Sequence, residues 1–558
     1  MKGYFVFACL FLVHFAGADE ALYASVVWDP LSNHLYVEDA VLPDAVAWGR
    51  FSNEVNKTGW SYLEVHTTRG YPDDIQSLAA GMVEGYLTAD FILMNWKNTD
   101  SGYCKAKPTI CTKLNSFLYK NSVFVTSQIE SNLQDPYWYQ VKLLYQQLLG
   151  LRRGYAASET GTNNPLSSFD FHLMQLGGVS DLEQALNGTT KRQMAGDGSC
   201  SAFIKILPKN EDLLISQVTW NSYTSMLRIY KLYELQLVNN SNPALHIVAQ
   251  NHSFSSYPGR LYSGDDFYVL SSGLVTQETT NDNYNKDLWQ YIGPNSVMEW
   301  ARTVIANRLA QDGQQWVSLF AKHNSGTYNN QWMVLNYNMF TPGKPVIPET
   351  LWVLEQMPGI VQMGDLSLYL INNGYWASYN IPFFDTIFTV SGQEDMVKKY
   401  GSWFDYELNP RAQIFKRDQS KVVDLASMMK LMRYNDYTHD PLSKCNCTPP
   451  YSAENAISSR SDLNPASGKY PFPALGHREH GGTDAKITSY KLFQDFTVYA
   501  VSGPTHDQQP VFNWTMSGWS RPLGHPDNWD FEPVMISWSG TQAFEDDSEN
   551  LLDLEKEA

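Results

Sequence analysis

Cys200 is the residue in this chain whose type and position most clearly suggest covalent chemistry. It lies where a polar, glycine-bearing segment runs into an alternating stretch that is typical of a strand. The four other cysteines beyond residue 18 fall into two close pairs, Cys104 with Cys111 and Cys445 with Cys447. A thiol left over at a loop-to-strand junction of an exported protein needs a chemical explanation. We predict that peptide cleavage between Ser199 and Cys200 makes Cys200 an N-terminal nucleophile.

An N-terminal cysteine combines a nucleophile and a base in one residue. The thiol attacks, and the freed α-amine, with a reference pKa of about 7.7–8.0, accepts the thiol proton. Before cleavage the same thiol could attack the Ser199 carbonyl, with Gly198 permitting a backbone geometry that other residues resist. Acidic surroundings oppose this, because lowering a thiol pKa from about 8.5 to 5 requires roughly 5 kcal/mol of thiolate stabilisation. The alternative is that Cys200 is a structural cysteine of the core.

Residues 1–18 predict a signal peptide. Lys2 begins a short basic region, an apolar run follows, and Ala16-Gly17-Ala18 fits the small-residue cleavage pattern, so the mature chain is expected to begin at Asp19. A membrane anchor is the alternative, but the run is too short to cross a bilayer. No later apolar segment is long enough either, so we expect no transmembrane anchor. The predicted location is secreted or lysosomal.

Two further features agree with export. Asn-x-Ser/Thr triplets predict glycosylation at Asn56, Asn187, Asn239, Asn251, Asn446 and Asn513. An oxidising lumen would let Cys104 and Cys111 close a small loop by a disulfide bond. Cys445 and Cys447 could form only a very tight ring, so their spacing leaves that pairing open.

The composition excludes some partners. The chain has 558 residues, of which 43% are hydrophobic, enough for a large core. Its net charge of −18 argues against nucleic acid or an anionic membrane as a partner. No redox or nucleotide cofactor motif is evident, so we expect no cofactor.

Helical periodicity dominates the first part of the chain. Residues 19 to about 190 are predicted to be helix-rich, with apolar stripes between Ile75 and Leu87 and between Val141 and Leu149. Both stripes are expected to pack on a core. The predicted cleavage divides the chain into an N-terminal fragment, 19–199, and a C-terminal fragment, 200–558, whose acidic tail from about 545 is expected to fray.

Strand patterns begin at Cys200. Residues 200–207 and 213–220 flank a turn and predict a hairpin in which Cys200 faces the neighbourhood of Trp220, with Gln217 within a few residues. The remaining elements are predicted as strands at 266–280, 331–337 and 381–390 and helices at 225–233, 296–309 and 395–400. Strands grouped in the middle, with helices before and between them, favour a layered α+β core.

A series of motifs, in order along the chain, resembles the phospholipase B-like family. The motifs include Cys200-Ser-Ala-Phe-Ile-Lys, Thr219-Trp-Asn-Ser-Tyr, Ser263-Gly-Asp-Asp-Phe-Tyr, Ser325-Gly-Thr-Tyr-Asn-Asn-Gln-Trp, Tyr375-Trp-Ala-Ser-Tyr-Asn-Ile-Pro, Asn409-Pro-Arg-Ala-Gln-Ile-Phe and His480-Gly-Gly-Thr-Asp. The resemblance implies an α+β fold of the N-terminal-nucleophile hydrolase type, a four-layer αββα sandwich. It also implies division into two fragments that stay associated, with Cys200 as the nucleophile.

The resemblance also implies polar groups around the thiol. Asn380 and Arg411 are carried over as catalytic residues, because an amide can donate to an oxyanion and a guanidinium can stabilise anionic charge. The alternative is that Asn380 caps a turn and Arg411 forms a structural ion pair. Asn329 and Arg417 are less favoured choices for these roles.

A substrate pocket around Cys200 is expected to include Trp220, Gln217 and Asn330. Some relatives have a histidine near the position of Gln217, and a glutamine cannot act as a general base. The α-amine of a cleaved Cys200 would make that loss tolerable.

The function implied is a hydrolase that removes acyl groups from lipids or phospholipids. Because an N-terminal cysteine can cleave esters or amides through an acyl-enzyme, an amidase acting on N-acylated lipids or small amides is an alternative. A secreted binding protein that kept the hydrolase fold without catalysis is another.

Two other kinds of catalytic site have less support. No Gly-x-Ser-x-Gly elbow occurs, so the main local sign of a serine hydrolase is missing. His477, His480 and Asp484 could bind a metal, but the glycines between them are more typical of a shaped loop, and we expect no metal there.

Overall fold

The computed structural model describes residues 21–187, 200–240, 242 and 244–538. The predicted signal peptide, Ser199 and the acidic tail lie outside these residues. Within the described ranges, no helix has both the length and the apolar character needed to cross a bilayer.

The strands of the described chain are β1 (Leu22–Asp29), β2 (His34–Glu38), β3 (Ala47–Glu54), β4 (Trp60–Thr67), β5 (Cys200–Ile206), β6 (Leu213–Ser222), β7 (Arg228–Glu234), β8 (Asn251–Ser256), β9 (Phe267–Leu270), β10 (Leu274–Thr280), β11 (Asn330–Asn336), β12 (Leu351–Met357), β13 (Ile360–Asp365), β14 (Tyr375–Ser378), β15 (His480–Gly482), β16 (Asp484–Ser489), β17 (Val498–Ser502), β18 (Phe512–Asn513), β19 (Asn528–Trp529) and β20 (Val534–Ile536).

The α-helices are α1 (Val55–Thr58), α2 (Asp73–Leu87), α3 (Ala89–Thr99), α4 (Tyr103–Ala106), α5 (Pro108–Ser131), α6 (Pro136–Ala157), α7 (Glu159–Asn163), α8 (Ser168–Gln175), α9 (Val179–Asn187), α10 (Glu299–Leu309), α11 (Gly313–Ala321), α12 (Ser367–Asn373), α13 (Asp385–Val390), α14 (Gln393–Tyr400), α15 (Pro410–Asp418), α16 (Leu425–Met432), α17 (Tyr490–Phe493) and α18 (Trp514–Ser517).

The larger sheet takes strands from both sides of the predicted cleavage bond. Its order is β13-β12-β11-β10-β9-β8-β7-β4-β3-β1-β2. Neighbours in it are antiparallel except β4 and β7, which run parallel with Trp60 beside Arg228. A parallel pair needs a crossover connection, and here the chain between the two strands forms helices α2 to α9 and the first hairpin of a second sheet.

The second sheet contains Cys200. Its strands follow the order β14-β5-β6-β16-β17-β20, and β15 pairs with β6 beside them. The β5–β6 pair is the predicted hairpin, but its register places Cys200 opposite Thr219, one residue from the expected Trp220. Side chains alternate between the two faces of a sheet. This register therefore places the Thr219 side chain on the same face as Cys200 and the Trp220 side chain on the opposite face.

Three apolar clusters hold the sheets and helices together. One joins the two sheets, with Tyr62 and Met333 from the larger meeting Ile204 and Ile215 from the smaller. A second packs helices α2, α6 and α10 on the other face of the larger sheet. A third packs α15 and α16 on the other face of the smaller sheet, around Trp220. The fold is therefore α+β, as expected.

Both predicted apolar stripes are confirmed as packing faces, on α2 and α6. These two helices approach each other unusually closely through two glycines on each. A Cβ added to Gly81 or Gly85 would lie 2.0 Å from a backbone oxygen of α6, and one added to Gly150 or Gly154 would lie 2.0 Å from a backbone oxygen of α2.

The structure differs from the predicted elements in three places. Residues 22–67 contain four strands in a part of the chain expected to be mainly helical. Residues 228–234 form β7 rather than a helix, since a strand buried on both faces shows no two-residue alternation. Part of the strand expected at 381–390 is instead helix α13, whose β-branched residues favoured the strand assignment. The strand in this region is β14, which lies earlier in the chain.

Candidate functional site

Cys200 is the first residue of β5 and lines a cavity of about 410 Å³. The side chain is buried, with 2% of the residue exposed, and the thiol is free. Polar residues make up most of the wall of this thiol cavity, among them Asp181, Thr219, Arg260, Asp265, Asn281, Asp282, Tyr328 and His480. A buried sulfur that still borders a cavity can meet a small bound molecule.

In the uncut chain the surroundings keep the Cys200 thiol protonated. Burial is the main reason that its pKa is raised, and the nearby Glu278 carboxylate adds to it. The backbone amide of Trp220 and the Lys486 ammonium oppose this shift without overcoming it. The thiol therefore needs a base to become a nucleophile.

Four buried charges lie directly behind Thr219, the residue opposite Cys200. Arg228 donates to Asp265 and, at 3.0 Å, to Asp484. Lys486 donates to the same two carboxylates at 3.1 and 2.7 Å. All four side chains have no exposed surface, and two positive charges balance two negative ones. Arg228 and Lys486 hold the pKa of Asp265 below its usual range, so this carboxylate stays ionised.

The threonine links this charge cluster to the strand that carries the cavity. The Thr219 hydroxyl accepts from Lys486 at 2.7 Å and donates to Asp265 at 2.9 Å. The Thr219 backbone amide donates to Asp484 at 2.9 Å. The cluster therefore positions the backbone of β6 opposite the thiol.

Arg411 touches the backbone of Cys200 directly. One guanidinium nitrogen donates to the Cys200 carbonyl at 2.7 Å and the other to the Tyr379 carbonyl at 2.6 Å. The guanidinium also stacks 4.4 Å from the centre of the Trp220 ring, and the Trp220 indole donates to the Ile457 carbonyl at 3.2 Å. Burial lowers the pKa of Arg411 to about 10. In this geometry Arg411 orients the residue that carries the thiol.

Asn380 lines a smaller neighbouring cavity together with Arg411. Its backbone is in the left-handed region, with φ of 65°. Its amide nitrogen donates to the Thr280 carbonyl at 2.7 Å, so that donor is already occupied. This placement fits the turn-capping alternative as well as a catalytic one.

Of the three residues expected in the substrate pocket, Trp220 is among those that line the thiol cavity, whereas Gln217 and Asn330 lie behind it. The Gln217 amide donates to the carbonyls of Asp265 at 2.6 Å and Glu278 at 2.7 Å, which joins the two sheets. With its nitrogen turned toward acceptors, the Asn330 amide donates to the Glu278 carboxylate at 3.0 Å. Both residues support the wall from outside.

The two less favoured residues also have other partners. Asn329 donates to the Gly326 carbonyl at 3.0 Å. Arg417 pairs with Asp418 and Asp440 at 2.7 and 2.9 Å, with 38% of its side chain exposed.

The three residues considered as metal ligands have separate contacts. His477 stacks on Trp519 and bonds to the Asn464 carbonyl at 2.7 Å. Asp484 belongs to the charge cluster, and His480 lines the thiol cavity. In the described part of the chain, no group of three histidine, cysteine or acidic side chains is arranged to hold a metal ion.

Both close cysteine pairs are bonded, Cys104 to Cys111 as expected and Cys445 to Cys447, whose spacing had left the pairing open. Of the six predicted glycosylation sites, Asn56 and Asn446 are exposed, and Asn187, Asn239, Asn251 and Asn513 are partly exposed. The asparagine of each sequon is therefore at least partly exposed, which glycosylation requires.

The structure adds cavity residues that the sequence did not single out. Asn281 is 2% exposed and lines the thiol cavity, and its side-chain amide lies beside the Glu355 carboxylate, where it partly offsets the rise in the Glu355 pKa that burial causes. Asp181, at the start of α9, accepts from the Tyr328 backbone amide at 2.8 Å, and burial raises its pKa to about 7. The only available signal was indirect, since Tyr328 and Asp265 belong to motifs quoted for the family resemblance.

Comparisons with known proteins agree with that resemblance. The family model described as Phospholipase B matches residues 47–536. Phospholipase B-like 2 of Mus musculus is 48% identical over 526 residues, which cover 92% of this chain and 89% of the mouse protein. The Homo sapiens protein of the same name is also 48% identical, over 92% of this chain and 89% of its own length.

A more distant relative extends the match. Phospholipase B-like protein B of Dictyostelium discoideum is 39% identical over 503 residues, 87% of this chain and 85% of its own length. A family model and relatives that both span most of the sequence leave one assignment: the chain belongs to the phospholipase B family.

Proposed function

We propose that this protein is a hydrolase that removes acyl groups from lipids or phospholipids through Cys200. Cleavage of the Ser199–Cys200 bond by its own chain would expose the Cys200 α-amine as the base. The observation that carries the proposal is the position of this free thiol, which is the first residue of its strand and borders a polar cavity.

The proposed reaction proceeds through a thioester. The α-amine takes the thiol proton, and the sulfur attacks the acyl carbonyl carbon to form a tetrahedral oxyanion. The carbon–oxygen bond of an ester, or the carbon–nitrogen bond of an amide, then breaks as the leaving group takes the proton from the ammonium. Water attacks the thioester, releases the acid and restores the thiol.

Several side chains suit this reaction. Arg411 fixes the Cys200 carbonyl and thereby orients the nucleophile and its amine. The Asn281 amide lines the cavity and can donate to the oxyanion, whereas one of the two N–H groups of the Asn380 amide is bound to the Thr280 carbonyl. Lys486 favours the thiolate electrostatically.

The fold supports the same proposal. Two sheets packed face to face, each covered by helices on its other side, are consistent with the four-layer αββα sandwich of N-terminal-nucleophile hydrolases. The predicted fragments would stay associated because β4 and β7, from opposite sides of the cleavage bond, are neighbours in one sheet.

An amidase is the second candidate. The thiol cavity has a mainly polar wall, and that character suits a small amide or an N-acylated compound as well as it suits a lipid ester. Parallel incubation of the mature protein with matched lipid esters and amides, with products identified by mass spectrometry, separates the two candidates.

Purification of the secreted or lysosomal protein tests the maturation step. We expect a denaturing gel to resolve two fragments, the larger beginning at Cys200, that elute together under native conditions. Cys200→Ala should remain uncut and inactive, and Cys445→Ala, a cysteine outside the cavity, should still be processed. An intact wild-type chain across acidic pH would favour a binding protein, and cleavage of the same bond in Cys200→Ala would refute self-processing.

A further inference from the structure

We propose that Arg260 forms an anion-binding subsite in the thiol cavity, and that the substrate carries a phosphate or carboxylate group close to its acyl bond. This inference rests on the proposed function and narrows its substrate class. Arg260 and Cys200 line the same cavity of about 410 Å³. A single small molecule bound there can therefore contact Arg260 through an anionic group and present its acyl carbonyl to the thiol.

The charge of Arg260 is not neutralised by the protein. Its Nε has no hydrogen-bond partner among the described residues. Asp100 acts on the guanidinium electrostatically, without a hydrogen bond between the two side chains. The Asp266 and Glu299 carboxyl groups also act on it, but burial raises the pKa of both and so favours their uncharged forms. Arg228 and Lys486, the other cations near the cavity, are already paired with Asp265 and Asp484. Arg260 therefore keeps its charge for a ligand.

Although it lacks a counter-charge, Arg260 is held in place. Its guanidinium lies 4.8 Å from the centre of the Tyr257 ring and 5.8 Å from that of Tyr262. One terminal nitrogen lies beside Gly264, where an added Cβ would come within 2.6 Å of it. Aromatic faces and the missing side chain at Gly264 thus position a planar donor for an oxyanion.

The carboxylates that line the cavity have donors of their own. Asp265 is paired within the charge cluster. Asp181 accepts from the Tyr328 backbone amide, and its pKa of about 7 leaves it uncharged in acid. Asp282 accepts from the Tyr284 hydroxyl at 2.7 Å, on the wall shared with the smaller cavity. Below neutral pH these carboxylates leave the charge of Arg260 free to bind an anion.

Binding without turnover tests the subsite. The full-length Cys200→Ala protein is titrated calorimetrically near pH 5 with glycerol 3-phosphate and N-acetylglycine, and with glycerol and N-acetylglycinamide as uncharged partners. We expect the anions to bind and their partners to bind far more weakly. Adding Arg260→Gln should weaken anion binding by about tenfold or more, because a charge-assisted bond is lost. Arg153→Gln, at an exposed position on α6, should change nothing.

One further variant and a comparison of the two anions make the binding result interpretable. Arg260→Lys retains the charge without the planar fork and should keep part of the affinity, which separates loss of charge from loss of folding. Tighter glycerol 3-phosphate binding would indicate a phosphate headgroup, and tighter N-acetylglycine binding an acylated amino acid. Equal binding of charged and uncharged probes, or undiminished binding in a folded Arg260→Gln protein, overturns the subsite. This binding assay involves no turnover. If the anions bind as expected but the wild-type protein hydrolyses no acyl substrate, only the proposed function is overturned.

Discussion

At the residue scale, the side chains around Cys200 divide into those that hold the backbone and those that face the cavity. Arg411 and Asn380 donate to main-chain carbonyls, at 2.7 Å from Cys200 and from Thr280 respectively. Asn281 and Arg260 line the cavity, and the Arg260 Nε has no hydrogen-bond partner among the described residues. The first pair is suited to positioning, and the second to contact with a substrate.

Substitution of the two asparagines separates these roles. Asn281→Ala should lower kcat by about 100-fold with little change in KM, since it removes an amide that lines the thiol cavity and can donate to the oxyanion. Asn380→Ala should lose about 1–2 kcal/mol of stability, because alanine is strained at positive φ, whereas Asn380→Gly should recover part of it. Steady-state kinetics and thermal unfolding of the matured proteins measure both effects. If Asn380→Gly were as inactive as Asn281→Ala, the Asn380 side chain would be needed in catalysis.

At the element scale, the closest contact is the helix pair α2 and α6. Glycines four residues apart on each helix, Gly81 with Gly85 and Gly150 with Gly154, let the two backbones touch. The pair packs on the larger sheet and continues the core that strands β3 and β4 begin. The crossover that makes β4 and β7 parallel neighbours depends on this packing.

Gly85→Ala should therefore be strongly destabilising. Its new methyl group would lie 2.0 Å from the Leu151 carbonyl oxygen, so the helices would have to separate. We expect a loss of about 3 kcal/mol, in the upper range for overpacking. Gly102→Ala is the matched control, because no atom lies within 4 Å of its added Cβ and its φ is −82°. Thermal unfolding should show equal midpoints for wild type and Gly102→Ala; equal midpoints for Gly85→Ala would contradict the close contact.

At the scale of the whole molecule, the two predicted fragments share one sheet, one apolar core and the wall of the thiol cavity. Asp181, from the N-terminal side of the cleavage bond, accepts from Tyr328 on the other side. Neither disulfide links the two predicted fragments, because Cys104–Cys111 lies in the N-terminal one and Cys445–Cys447 in the C-terminal one, so packing and hydrogen bonds must hold the fragments together.

Asp181 makes this association sensitive to pH. Burial raises its pKa from 3.8 to about 7 in the folded protein, so folding favours the protonated acid. Its contribution to stability is complete below about pH 4 and is lost as pH rises through 7. Asp181→Asn should thus match wild type near pH 4 and be more stable at pH 7.5, by at most roughly 4 kcal/mol. Thermal unfolding of uncut Cys200→Ala proteins at both pH values measures the difference, and a pH-independent gap would contradict this assignment.

Local signals in the chain were sufficient for the parts of this protein that depend on neighbours in sequence. The spare thiol, the hairpin from Cys200, the apolar stripes of α2 and α6 and the family resemblance all came from short patterns, and both cysteine pairs proved to be bonded. Strand β7 was mistaken for a helix because burial on both faces removes the period that distinguishes the two.

The tertiary structure decided which groups surround the thiol. Arg411 reaches Cys200 across 211 residues of chain, and Asp484 reaches Arg228 across 256. The hairpin register, one residue from expectation, turned Thr219 rather than Trp220 toward the face of Cys200. Such contacts arise when separate elements pack, and a buried charge is stable only where that packing supplies its partner. No local sequence pattern identifies the distant side chain that will become this partner.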